Sequence, residues 1–201
     1  MMLQSLEVAL VVEDVLSLAV MAKVLEHTGR GYSVVRPLIG RGVDNIRESI
    51  NKYRNASRVL AHVILVDLDN VPCAALLRQQ WGVDTLPHAM LFRVAVREVE
   101  AWILADRAGF ANFAAIPKSK VPHTPETLAD PKQTLTNLVR QSRSRRLSAE
   151  IVPAQGMSMS KGPLYNERLG QFVREKWDVA AAMQIAPSLQ RTVDRLQHFL
   201  K

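Results

Sequence analysis

The chain has one cysteine, Cys73, in 201 residues, so no intrachain disulfide can form and a reducing compartment is expected. Its five histidines, His27, His62, His88, His123 and His198, are scattered, with neither HExxH nor CxxC spacing, which argues against a zinc site. The first apolar run ends in VVEDVLS without glycine, so neither a Walker loop nor a dinucleotide fingerprint can form there. Nothing has the pattern of a nucleophile elbow. No stretch approaches the roughly 18 charge-free apolar residues of a membrane span, and the best candidate is interrupted by Glu7, Glu13 and Asp14. The first basic residue is Lys23, too late for a signal peptide, and a cytoplasmic location is expected. The C-terminal third has few aromatics (Tyr165, Phe172, Trp177, Phe199), which gives little support to a base-stacking platform.

What is present is ordinary for a globular chain, 48% hydrophobic and 22% charged residues, which excludes wholesale disorder. The charge is uneven. Residues 1–130 carry 14 basic and 14 acidic side chains, whereas residues 131–201 carry 12 and 5, the whole of the net +7. A basic region attracts polyanions, since phosphate contacts release counterions. The densest cluster, RQSRSRR, holds Arg140, Arg143, Arg145 and Arg146, and suits either a nucleic-acid contact or a solvated helix end.

Residues 6–13, 32–38, 62–69 and 88–96 read as strands, with Pro37 placing the second at an edge or terminus. Helical patterns lie between them: 18–27 with Ser17 as cap, 46–54 with Asp44 as cap, a helix opened by Pro72, and VEAWILADRAGF after the fourth strand. This alternation predicts an α/β fold with a mainly parallel four-stranded sheet flanked by helices. Pro117, Pro122, Pro125 and Pro131 punctuate a connection at 117–131. Helices at about 132–143, 165–176 and 187–200 follow, two of them separated by AQGMSMSKGP. The expected organisation is a core at 1–116, the proline-rich connection, and a basic helical extension at 132–201 packed on the core.

Acids stand at the predicted strand ends. Glu13 closes strand one, Asp67 and Asp69 close strand three, and Glu98 and Glu100 follow strand four, with Asp106 further along the same helix. Ligands of open parallel sheets bind beyond the carboxyl ends of the strands. Asp67 and Asp69, two apart in extended chain, face the same side. Up to five carboxylates can thus converge, which is unfavourable unless a cation intervenes, and all-oxygen ligands favour magnesium or manganese. Plain alternatives stand beside this reading. Asp69 can cap the helix near Pro72, Glu98 and Glu100 can serve a helix dipole, and Glu13 and Asp14 can be solvated loop residues. Trp102, among Val99, Ile103 and Leu104, reads as core.

A glutamate at the end of strand one followed by DxD at the end of strand three resembles the toprim domain of topoisomerases, primases and overcoming-lysogenization-defect nucleases. The resemblance covers about residues 5–100. It implies a toprim-like, Rossmann-like core, acid–base or metal chemistry for Glu13, and magnesium binding by Asp67 and Asp69. REVEAWILADRAGF, ADPK at 129–132, KGPLYNERL at 161–169 and APSLQR at 186–191 are similar to an uncharacterised bacterial toprim-like family of unknown function. Members of that family carry an EAWxLAD segment and often a genomic link to phage defence or mobile elements. One departure bears on it: Asp14 stands where toprim proteins usually have glycine, which argues against phosphate binding in the usual geometry. A receiver-domain likeness in VALVVEDVLSLAVMAKVLEHTG fails further on. Receivers place Ser or Thr after strand four and Lys after strand five, and here strand four ends in Val96-Arg97-Glu98.

The resemblance thus implies a Mg²⁺- or Mn²⁺-dependent phosphodiester hydrolase, a nuclease. Glu13, Asp67 and Asp69 would be metal ligands and catalytic acids, with Glu98 or Glu100 completing the site. Arg97, Lys161, Arg143, Arg145 and Arg146 are the expected nucleic-acid contacts, although Lys161 equally suits an exposed loop lysine. A partner ATPase is a further possibility, as in related nucleases. The competing reading is a non-catalytic scaffold that binds a partner protein or nucleic acid.

Overall fold

The computed structural model describes residues 5–154 and 161–200, so most of the Gly/Ser/Met segment lies outside the described residues. Apolar β-branched runs form four strands, β1 (Leu6–Val12), β2 (Tyr32–Ile39), β3 (Ala61–Asp67) and β4 (Met90–Ala95). All pairings are parallel and the order is β2-β1-β3-β4. This is an α/β, Rossmann-like arrangement with helices on both faces. β1 and β3 are central, which explains their near-continuous burial. Pro37 sits in β2, an edge strand, where a missing N–H leaves no central ladder bond unmade.

Side chains alternate between two cores. One face of the sheet (Val8, Leu10, Val12, Val63, Leu65, Leu91) packs with α1 (Val15–His27) and α5 (Val99–Ala105). The other (Val11, Ile64, Val66, Phe92, Val94) packs with α2 (Val43–Glu48), α3 (Ile50–Ala56) and α4 (Ala74–Gln80). After α5 come α6 (Arg107–Phe113), α7 (Pro131–Arg140), α8 (Arg145–Ile151), α9 (Tyr165–Glu175), α10 (Val179–Met183) and α11 (Pro187–His198). Leu169, Phe172, Val179, Leu189, Val193 and Leu196 of this extension join the same core as Val8 and Trp102. Trp102 is fully buried, as its neighbours in the sequence indicate. Among the described residues no helix is long and apolar enough to cross a membrane.

Several boundaries differ from the sequence expectation, each for a local reason. Asp14, not Ser17, caps α1: its Oδ1 accepts both the Ser17 N–H and the Ser17 hydroxyl at 2.9 Å. The helix expected over 46–54 is two helices, interrupted at Ser49 (φ −91°, ψ 0°), and its first cap is Gly42 rather than Asp44. VEAWILADRAGF breaks at Asp106 (φ −76°, ψ 73°), whose carboxylate accepts the N–H groups of Gly109 at 2.9 Å and of Asp178 at 3.0 Å. A Cβ on Gly109 would lie 2.0 Å from that carboxylate, so glycine is required there. Arg145 and Arg146 open a helix, α8, instead of ending one.

Candidate functional site

The chain passes from β1 out to β2 and then back across to β3, so the winding direction reverses between the C-terminal ends of β1 and β3. In open parallel sheets that reversal opens a crevice where ligands bind. Glu13 and Asp67 stand at it. The Asp67 backbone N–H donates to Glu13 Oε1 at 2.8 Å, which turns the strand-one acid toward the end of strand three. Asp67 Oδ1 in turn accepts the Val99 N–H at 3.0 Å, at the first residue of α5. One carboxylate therefore ties the end of β3 to the start of the helix after β4.

Asp69 lies beyond the strand in the left-handed region, at φ 48°, and so does Arg97 at φ 66°. Such backbone is uncommon for residues other than glycine and costs roughly 1 kcal/mol each. The two are clasped: the Asp69 N–H donates to the Arg97 carbonyl at 2.9 Å, and the Arg97 guanidinium donates back to the Asp69 carbonyl at 3.1 Å. Asp69 does not cap α4, whose first residue follows Cys73. Its carboxylate accepts no hydrogen bond among the described residues.

The acids after β4 are held differently. Glu98 accepts from the Lys132 N–H at 2.9 Å through one oxygen and from Lys132 Nζ at 2.8 Å through the other. It thus closes the N-terminal end of α7 while pairing with that helix's lysine. Glu100 is fully buried in α5, with Lys132 Nζ at 3.8 Å and the Tyr165 hydroxyl donating to it at 2.9 Å. Lys161 lies 3.4 Å from Asp14 and over the ring of Tyr165, 5.0 Å from its centroid. It is an anchored residue, not a loose loop lysine.

The charges leave their mark on titration. Burial pushes Glu13 up to about 7, aided by Asp69 and Asp14 and opposed by the Asp67 N–H and Lys132. Burial, then the charges of Glu100, Glu13 and Asp69, lift Asp67 well above the carboxylate range. Asp69 is raised by burial and Glu98. Burial raises Glu100 too, outweighing the nearby Lys132. For Asp14 burial works upward, but the Ser17 N–H and Lys161 overcome it and hold the carboxyl low. Lys132 is kept firmly charged: burial opposes the ammonium, and Glu100 and Glu98 outweigh burial.

The five acids at the strand ends thus act on one another, while Asp106 serves the break between α5 and α6. Lys132, which spacing alone did not single out, supplies the cation for two of them. Its signal was Asp130-Pro131, a cap and first helical residue that set Lys132 at the start of α7. Among the described residues no group of three or more His, Cys, Asp or Glu is gathered closely enough to hold a metal ion. Magnesium often takes only one or two carboxylates and keeps its water. The second oxygens of Glu13 and Asp67 and both of Asp69 accept no hydrogen bond among the described residues, and they are the oxygens such an ion would have to use. Of the expected basic contacts, Arg97 and Lys161 lie beside these acids, and the three arginines around the start of α8 do not. Arg143 reaches toward the Ala115 carbonyl at 3.4 Å, Arg146 pairs with Glu150 at 2.9 Å, and Arg145 is exposed on α8. Comparison with protein-family models, with curated proteins and with solved structures gives no match.

Proposed function

We propose that the chain is a toprim-like, divalent-cation-dependent phosphodiester hydrolase that acts on nucleic acid, with Glu13, Asp67 and Asp69 at its centre. The observation that carries the reading is the 2.8 Å bond from the Asp67 N–H to Glu13 Oε1, which joins acids from two strands where the sheet's winding reverses. A second strand of support comes from the segments behind the family resemblance. Glu100 and Trp102 of EAWxLAD meet Lys132 of ADPK, Tyr165 of KGPLYNERL and Ser188 of APSLQR.

In this reading Asp67 and Asp69 hold Mg²⁺ or Mn²⁺, with Glu13 beside them. When bound, the ion supplies positive charge that polarises a phosphodiester and acidifies water. Glu13, turned toward Asp67 by that bond, would accept the proton of the attacking water. Lys132 holds Glu98 and Glu100 in place, and Arg97 at the rim meets a flanking phosphate. The test is plasmid nicking with Mn²⁺ by the purified chain and by Asp67→Asn. Nicking lost in the variant is the expected result, and equal nicking by both proteins would remove the enzyme.

One observation favours a second reading, a scaffold without catalysis: Lys132 already neutralises two of the five acids. That reading expects no Mn²⁺ binding at millimolar concentration by calorimetry. A role in phage defence or beside a partner ATPase belongs to the first reading and is tested by interference with phage growth in cells carrying the chain or Asp67→Asn.

A further inference from the structure

A charged feature of the opposite sign lies along β4, the edge strand. Arg93 falls on the same face as Leu91 and Ala95, and its Nε–H donates to the Thr192 hydroxyl of α11 at 3.2 Å. Among the described residues its two terminal amino groups meet no acceptor, and neither is sealed inside the protein. They face a cleft of about 600 Å³ between the segment 84–88, β4 and the end of α11, lined in part by Arg78, Arg195, His88 and His198. Among the described residues one acid lies on its wall, Asp84, whose side chain is 62% exposed and stands 3.9 Å from Arg78. Arg191, exposed one turn before Arg195, adds a further charge. Burial and the charges of Arg195, Arg78 and Arg191 push Arg93 down to about 10. Like charges held together around a half-buried guanidinium are unfavourable until an anion joins them. The planar fork of arginine matches phosphate oxygens two at a time.

We propose that the β4-edge cleft is a phosphate-binding site, with Arg93 as its anchor and Arg195 and Arg191 as flanking contacts. The phosphate is carried by a nucleic-acid strand or by a small phosphomonoester. The site is separate from the acidic rim. Arg93 pairs with Leu65, two residues before Asp67, which places it roughly 7 Å back along the strands. The inference does not rest on the hydrolase reading, since phosphate would bind whether or not the rim holds a metal.

The test titrates inorganic phosphate into the chain without divalent ions, against chloride at equal ionic strength, by calorimetry and by the Arg93 Nε–H resonance. Phosphate should shift that resonance, and Arg93→Gln should weaken binding about tenfold or more, the loss of a charge-assisted bidentate contact. Should Arg93→Gln misfold by circular dichroism, the exposed Arg195→Gln and Arg191→Gln carry the test, each about threefold. Equal affinity in wild type and variants, or an equal response to chloride, overturns the proposal. A fluorescent single-stranded oligonucleotide then separates the two sources. A parallel loss of its affinity in Arg93→Gln assigns the cleft to a strand, and unchanged affinity beside lost phosphate binding assigns it to a phosphomonoester.

Discussion

Two sets of carboxylates share one rim and live under opposite conditions. Glu98 and Glu100 have partners inside the protein, the Lys132 ammonium and the Tyr165 hydroxyl. Glu13, Asp67 and Asp69 have backbone N–H partners at most, and keep oxygens turned to no protein donor among the described residues. The first set is a finished ion pair and the second an unfinished one. Acidity alone does not mark a site; what marks it is acid that the fold leaves without a counter-charge.

The sharpest way to break this comparison is by activity. Asp67→Asn and Asp69→Asn should lower Mn²⁺-dependent nicking by about a hundredfold or more, on the scale of lost electrostatic stabilisation. Glu98→Gln should lower it less than about tenfold, because both its oxygens serve α7. Equal losses in all three would dissolve the distinction. Next in size is Lys132→Gln, which leaves Glu98 and Glu100 facing each other. It should cost about 3 kcal/mol in urea unfolding, as expected for a part-buried pair that loses one partner. Adding Glu98→Gln to Lys132→Gln should recover part of that loss, a sign of coupling between the two.

A third prediction concerns pH. Glu13 titrates at about 7 in the folded chain against an ordinary 4.5, so the folded state binds its proton more tightly. Stability of the metal-free protein should therefore be full below about pH 4.5 as far as this group is concerned, and fall as pH rises through 7. Allowing for its part-exposed position, the loss is about 2 kcal/mol, and Glu13→Gln should flatten the profile. The smallest effects belong outside the unfinished set. Lys161→Ala should cost at most about 1 kcal/mol, and Arg146→Ala, whose own side chain is exposed, should leave stability unchanged in the same assay.

The strands were readable because burial on both faces leaves an unbroken apolar run, as in HVILVDLD. The acids were readable because a parallel sheet turns strand ends into neighbours. What local pattern could not show was pairing across long separations. Lys132 lies 34 residues from Glu98, and Tyr165 lies 65 from Glu100, so their meeting depends on how the extension packs. Asp14 has a role of the same kind. Where the resembled family has glycine, it caps α1 and pairs with Lys161, a partner 147 residues away. Ser49 and Asp106 break helices at positions where periodicity continues, and at Asp106 the break is held by the Asp178 N–H, 72 residues away.

Ser188 has a consequence for the whole arrangement. Its hydroxyl donates to Glu126 at 2.5 Å and accepts from Trp102 Nε1 at 2.7 Å and from the Val96 N–H at 3.2 Å. Val96 is the last residue before Arg97 and Glu98, so the direction in which β4 releases the chain is fixed by an oxygen 92 positions away. The last helix is therefore a keystone for the rim. Cutting the chain before Ser188 would remove none of the rim acids, yet it would unseat the junction from which Arg97 and Glu98 emerge.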